Sequence, residues 1–540
     1  MSVHHDGACR RPARRSRAHR RRGMGAMNRK QDLLIDRRGA MGLIAGAGLA
    51  TLGGCGLPAT RPPVKGGRIR VATAVSSTAD TLDPAKQAVA IDYCRCASFY
   101  NGLTRLNARS EAEPALAEAM ETKDARVWIV KLRRDVRFHD GSPLTPADVV
   151  YSLRRHADPA VASQGRAFAN QFEDVSAFGP DAVRITLGSA NADLPVLLAI
   201  PSFLIIRDGT RDFRTANGTG PFRCAEFNPG VRSIGVRNED YWRGPVRLGE
   251  VELFSIADES ARLNALMSGD VDLVNGINPR ITKQVVRQGY EIFESKGSGY
   301  TNLIMRLDSA LGRNRDFVLG MKSLMDRETM RNAIFRGYAR IANDHPVPPS
   351  SPYFDPGLPQ RAFDPERARF HFRKAGLAGA TVPIITSPAA EKSEDMAVLM
   401  QAAAARAGIT LDTRRVPADG YWSSSWMKVP IGFGNVNSRP TVDTVFTQFF
   451  RSDAPWNESG WRNERFDRLL IEARGLTDQK LRKEIYSDMQ RMIHEEAGIG
   501  IPLFLSSLDA HSPRVKGLKP MPNGGLMGFG FAEHVWLEDA

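Results

Sequence analysis

Five cysteines are too few to brace a chain of 540 residues. Cys9 and Cys55 fall in an N-terminal leader, which leaves Cys94, Cys96 and Cys224, enough for at most one disulfide and one odd thiol. A C-x-C pair lacks the four-ligand set that structural zinc takes, so these cysteines read as small buried hydrophobes. Histidine is also sparse: seven of the ten follow the leader, at 139, 156, 345, 371, 494, 511 and 534, scattered rather than clustered. No H-E-x-x-H, G-x-S-x-G or Walker loop is present, and His494-Glu495-Glu496 has no second histidine at helical spacing. These absences argue against an enzyme, and no catalytic residue, metal ligand or cofactor is assigned.

What is present begins with charge. A formal +14 ordinarily suggests nucleic acid or a membrane surface. Twelve Lys/Arg against three Asp precede Cys55, so nine of those charges belong to the leader and +5 remains for everything after. A weakly basic domain needs no nucleic-acid partner. Residues 1–26 are Arg-rich, and Met24 and Met27 are alternative starts. Arg37-Arg38 then precede a Gly/Ala-rich apolar run at residues 40–54, short of the ~20 residues a spanning helix needs. A charged region before a short apolar one reads as an export signal, and the paired arginines resemble the twin-arginine type. Residues 39–41 lack its usual Phe-Leu-Lys tail, which keeps Sec export open. Leu52-Gly53-Gly54-Cys55 resembles a lipobox, making Cys55 the expected lipidated N-terminus of the mature chain. Pro58, Pro62 and Pro63 then form a tether leading to Gly66-Gly67.

The length predicts two or three domains, and 25% charged with 42% hydrophobic residues describes a soluble globular protein. Its most informative stretch is residues 127–155, VWIVKLRRDVRFHDGSPLTPADVVYSLRR. Alternation predicts a strand, Asp140-Gly141 a tight turn, and Thr145-Pro146 a capped helix start with Asp148 at its third position. His139 and Asp140 read as members of a satisfied turn. Residues 382–386 and 409–416 predict strands flanking a helix at 391–407, a βαβ unit that implies parallel pairing. Residues 317–334 predict two helices around Asp326-Arg327-Glu328, and residues 469–495 read as helical. Gly218-Thr219-Gly220 lies between strand-like segments without a following Lys-Ser/Thr pair, so a phosphate cradle is disfavoured.

The pattern F-H-D-G, P-L-T, A-D-V-V-Y-S-L resembles the extracytoplasmic solute-binding proteins of ABC importers, in the peptide- and nickel-binding class known as family 5. Thr81-Leu82-Asp83-Pro84, Asn101-Gly102-Leu103, Gly218 to Phe222, Asn238 to Gly244 and Ser268 to Asp272 extend the resemblance over roughly residues 66–535. It implies an α/β, two-lobed periplasmic-binding-protein fold of type II, the large peptide-binder variant with an extra small insert lobe. The expected organisation is a leader at 1–54, a tether at 55–66 and a large lobe at 67–104, 214–302 and 503–540. The insert lobe would occupy 105–213 and a second ligand lobe 303–502.

The resemblance also implies a ligand in the cleft between lobes. In peptide-binding members an Asp shortly after the strand equivalent to residues 431–437 grips the ligand's α-amino group. Here that position is Ser438 or Arg439, and Asn101, often acidic in the family, is neutral. A guanidinium repels ammonium and favours carboxylate or phosphate. The expected ligand is therefore peptide-like or acid-bearing: a modified peptide, an opine-like conjugate or a small sugar acid. The competing placement turns Arg439 outward or pairs it with Asp443. Arg439, Ser438, Asn437, Asn101 and Tyr100 are the candidate contacts. Phe433, Trp422 and Trp456 join them from an aromatic group that also holds Tyr421, Trp426 and Trp461. The expected role is a monomeric, membrane-anchored periplasmic receptor that hands a small molecule or short peptide to an inner-membrane permease. A metal-chelate, nickel or haem receptor of the same fold is the alternative, and a hydrolase ranks below it.

Overall fold

The computed structural model describes residues 66–521 and 524–538. Arg37, Arg38 and Cys55 lie outside the described residues, and with them the export-signal and lipidation expectations.

Ile69, Val71 and Ala72 are fully buried, and the strand Arg68–Thr73 is the keel of the largest sheet. It pairs in parallel with Glu250–Ser255 on one side and Leu273–Asn275 on the other. Arg232–Arg237 and Phe222–Asn228 extend the sheet beyond the first; Leu503–His511 and Glu291–Lys296 extend it beyond the second. Three distant stretches of chain thus share one sheet. Its core includes Val71, Phe99, Phe222, Leu253 and Leu273.

A separate antiparallel sheet orders Ala117–Thr122, Val127–Leu132, Ala182–Leu187 and Phe172–Ala177. The helix Pro146–Arg154 covers it, burying Val149 and Leu153 against Val175 and Val183. That helix starts where the sequence predicted: the Asp148 carboxylate accepts from the Thr145 backbone N–H at 2.7 Å, a capping box. The preceding turn is satisfied as read. Asp140 accepts from Arg207 at 2.6 Å and from Asn217 at 2.9 Å, and His139 N–H donates to the Gly218 carbonyl at 2.8 Å. The Gly-rich loop is therefore clamped to the F-H-D-G turn. A Cβ on Gly218 would lie 2.0 Å from the Phe99 carbonyl, so the glycine serves close packing on a helix end.

A third sheet orders Ile431–Val436, Tyr300–Met305 and Ile499–Gly500. Beside it, Thr381–Thr386 and Thr410–Arg415 pair in parallel around the helix Ser393–Arg406, the expected βαβ unit. Arg315–Ser323 and Arg327–Ala333 are the two helices expected around Asp326, whose carboxylate accepts from Thr329 N–H at 2.9 Å. The helical run near 469–495 is two helices, Glu464–Gly475 and Gln479–Glu496. The break comes at Asp478, whose carboxylate accepts from the N–H groups of Lys480 and Leu481 at 2.9 and 3.1 Å and starts a new helix.

Tyr300–Met305 pairs along its whole length with Ile431–Val436, so a boundary between 302 and 303 cuts an element. The chain crosses between the first and third sheets just before it, at residues 297–299, and again along Leu503–His511. These crossings touch: Leu505 N–H donates to the Gly299 carbonyl at 2.8 Å, and Lys296 faces Ser506. A Cβ on Gly297 would sit 2.7 Å from the Leu505 carbonyl, which only glycine permits. Cys94 and Cys96 are buried on the helix Ala90–Phe99, as read, while Cys224 is half-buried; all three are free thiols. Burial pushes the Cys94 and Cys96 thiols upward in pKa, away from reactivity.

Candidate functional site

The strand Ile431–Val436 ends in Asn437-Ser438-Arg439-Pro440, and Thr441 then caps the helix Val442–Phe449, its hydroxyl accepting from Thr444 N–H at 3.0 Å. A residue before proline is pushed into extended backbone, which projects Arg439 from the strand-to-helix link. Its guanidinium donates to Gln448 Oε1 at 2.6 Å and to the Asn437 carbonyl at 3.1 Å. The group lies over the Phe449 ring at 5.3 Å and the Trp456 ring at 6.0 Å. Asp443, the partner considered from sequence, is instead held by Arg474 at 2.8 Å. Among the described residues Arg439 forms no ion pair. Burial lowers its pKa from the ordinary value, yet a guanidinium does not deprotonate in proteins. It is a half-buried cation without a counter-ion.

Two cavities meet at Arg439 and Pro440. The smaller, about 410 Å³, also takes Asn437, Tyr300, Tyr353, Asp193 and Arg482. The larger, about 620 Å³, takes Ser438, Tyr100 and Asn101. Five of the candidates are thus brought together from opposite ends of the chain. Ser438 Oγ accepts from Ser298 N–H at 3.2 Å, which ties this wall to the chain crossing. Asn101 is fixed rather than free: its carbonyl accepts from Trp242 Nε1 at 3.0 Å and Thr219 Oγ1 at 3.1 Å, and its amide donates to the Tyr241 hydroxyl at 3.2 Å.

The aromatic expectations fare differently. Phe433 is 1% exposed, packs in the core and lines neither cavity. The strand carrying it is covered on both faces, with residues 431–434 all buried, so alternation turns no side chain toward open space. Trp422 is exposed, packs edge-on against Tyr421 and Trp426, and lines neither cavity. Trp456 does not line them either, but it leans on Phe449 at 5.6 Å and backs Arg439. Trp461 is core, and Trp426 Nε1 donates to Glu458 Oε1 at 2.7 Å. Glu458 is buried with no ion pair among the described residues, and its pKa is pushed up by burial to about 7.

Sequence reasoning missed Asp193 and Arg482. Their side chains are 5% and 1% exposed and meet at 2.8 Å, and Arg482 donates to the Tyr353 hydroxyl at 2.7 Å. Ala192 N–H donates to the Arg474 carbonyl at 2.8 Å beside them. One signal was available: Arg482 occupies the buried helix stripe of Tyr486, Met489 and Ile493, where a charge is out of place without a partner.

Comparison with known proteins accords with this architecture. The family model described as bacterial extracellular solute-binding proteins, family 5 Middle, matches residues 111–458, more than half of the chain. Heme-binding protein A of Haemophilus influenzae is 26% identical over 477 residues, covering 80% of this chain and 85% of its own. Glutathione-binding protein GsiB of Escherichia coli is 24% identical over 492 residues, covering 84% and 93%. The structure of HbpA2 from Haemophilus parasuis superposes with a TM-score of 0.79 at 22% identity, over 88% of this chain and all of that one. The chain belongs to the family 5 bacterial extracellular solute-binding proteins. Its fold is the two-lobed periplasmic-binding-protein fold, and its class is the substrate-binding receptors of ABC importers. No described helix is long and apolar enough to cross a membrane.

Proposed function

We propose that this receptor captures a peptide-like or acid-bearing small solute at Arg439 and delivers it, chemically unchanged, to a membrane permease. The carrying observation is the half-buried guanidinium without a counter-ion at the junction of two cavities. A desolvated cation takes a carboxylate or phosphate in paired, charge-assisted hydrogen bonds, and Gln448 with the Phe449 and Trp456 rings hold it for that purpose. In this reading the insert lobe at 105–213, the second lobe at 303–502 and the large-lobe segments around Tyr100 and Lys519 supply the walls. Cys55 serves as the lipidated tether, and the receptor works as a monomer.

Native mass spectrometry of protein purified from its own host identifies the retained molecule, and an acid group on it is expected. Calorimetry with that molecule then tests Arg439→Gln, which should weaken binding roughly ten- to hundredfold. Unchanged affinity overturns the reading. A second reading, a nickel chelate or haem as cargo, is favoured by the names of two relatives, Heme-binding protein A of Haemophilus influenzae and Nickel-binding protein NikA of Staphylococcus aureus. The mass of the retained ligand separates the two.

A further inference from the structure

The larger cavity carries more positive charge than its own acids answer. Arg105, Arg243, Arg439 and Lys519 all line it. Glu113 takes Arg105 at 3.2 Å and Glu533 takes Arg243 at 2.7 Å. Arg439 and Lys519 form no ion pair among the described residues. His534, on the same wall, registers the field: its pKa is lowered by burial first and by Arg243, Arg105 and Lys519, against the opposing pull of Glu533. Its ring therefore stays neutral, and the surplus rests on the two unanswered cations.

Much of the remaining wall is apolar and adaptable, with Asn101, Thr104, Asn107 and Ser438 as its polar members. Tyr93 stacks on Phe529 at 4.9 Å, and Met521 and Met527 add thioethers that conform to a guest's shape. Met527 and Phe529 stand in left-handed backbone, φ 57° and 71°. Asp509 secures the segment by accepting from Leu526 N–H at 2.6 Å. Side chains persist in such strained backbone where the surroundings over-determine it, as they do at ligand clamps.

We propose that the larger cavity takes an amphipathic dianion: an apolar body with two acid groups, one held by Arg439 and the second at the Lys519 rim. This rests on the reading of Arg439 above and narrows it. The test is calorimetry on the full chain at low salt with p-phenylenediacetate and phenylacetate, which share a ring and differ by one acid group. The diacid should bind roughly tenfold tighter than the monoacid. Lys519→Gln, at an exposed position, should erase that ratio. Arg439→Gln should weaken both probes. Equal affinities, a ratio that survives Lys519→Gln, or failure of both probes to bind would overturn the dianion. A monoacid affinity indifferent to Arg439→Gln overturns the Arg439 reading instead.

Discussion

Asp193→Asn isolates the energetics of the buried ion pair in the wall of the smaller cavity. The substitution keeps the side-chain shape but strips the counter-charge from Arg482, which is 1% exposed. Removing one partner of a buried ion pair costs about 3–5 kcal/mol, because the other charge is left desolvated and uncompensated. Here the guanidinium keeps three acceptors: the Ala473 carbonyl at 2.8 Å, the Tyr353 hydroxyl at 2.7 Å and the Tyr486 hydroxyl at 3.3 Å. They satisfy its N–H groups without neutralising it, so the lower end applies, about 3 kcal/mol. Urea unfolding of wild type and variant measures the cost. Arg482→Met alone strands Asp193 in the same way, while Asp193→Asn with Arg482→Met removes both charges and closes the cycle. The double variant should therefore lose less than the two single losses together, by about 2 kcal/mol or more. Additive losses, or an Asp193→Asn cost under about 1 kcal/mol, would refute the claim that the pair is a coupled, buried one.

Glu458 should make stability depend on pH. Its folded pKa of about 7 stands above the ordinary 4.5, so the folded state holds the proton more tightly between those values, and stability falls as pH rises through that window. Glu458→Gln imitates the protonated acid. Wild-type stability relative to this variant should drop by about 3 kcal/mol between pH 4.5 and 7, and a difference that stays constant in urea titrations would contradict the assignment. Gly218→Ala should lower stability by about 1–3 kcal/mol, because its Cβ would meet the Phe99 carbonyl; an unchanged urea midpoint would show that the helix end yields. Trp456→Ala should weaken binding of the co-purified ligand about two- to fivefold through loss of the ring behind Arg439, and Trp422→Ala should leave it unchanged. Calorimetry on both variants decides this, and equal effects would remove the distinction.

Local structure was legible where one short stretch contains its own causes. Thr145, Pro146 and Asp148 announce the helix start, and apolar spacing around residues 382–416 announces the βαβ unit. The cationic, non-acidic character of the Arg439 link was readable because charge is a property of residue type. Which residues face the cavities was not readable. Phe433 sits in a strand covered on both faces, so period-two alternation carries no information about an open side. Asp193 and Arg482 lie on elements remote in sequence, and only the fold pairs them. Leu476 to Asp478 hides a helix break that depends on one carboxylate turning back to two N–H groups. Interactions of this kind are set by tertiary packing, and their sequence trace is at most a charge out of place on an apolar stripe.

The two chain crossings beside Gly297 have a mechanical meaning. Adjacent strands joined by hydrogen bonds resist stretching and sliding but bend readily about the line between them. Bending of the third sheet relative to the first is therefore expected about Gly299 and Leu505, where the two crossings are hydrogen-bonded. The Ser298–Ser438 hydrogen bond places that pivot one residue from Arg439. An acid that neutralises the guanidinium would then act directly beside that pivot. A membrane partner that senses only shape would learn from that bend that the cavity is occupied, whatever the identity of the guest.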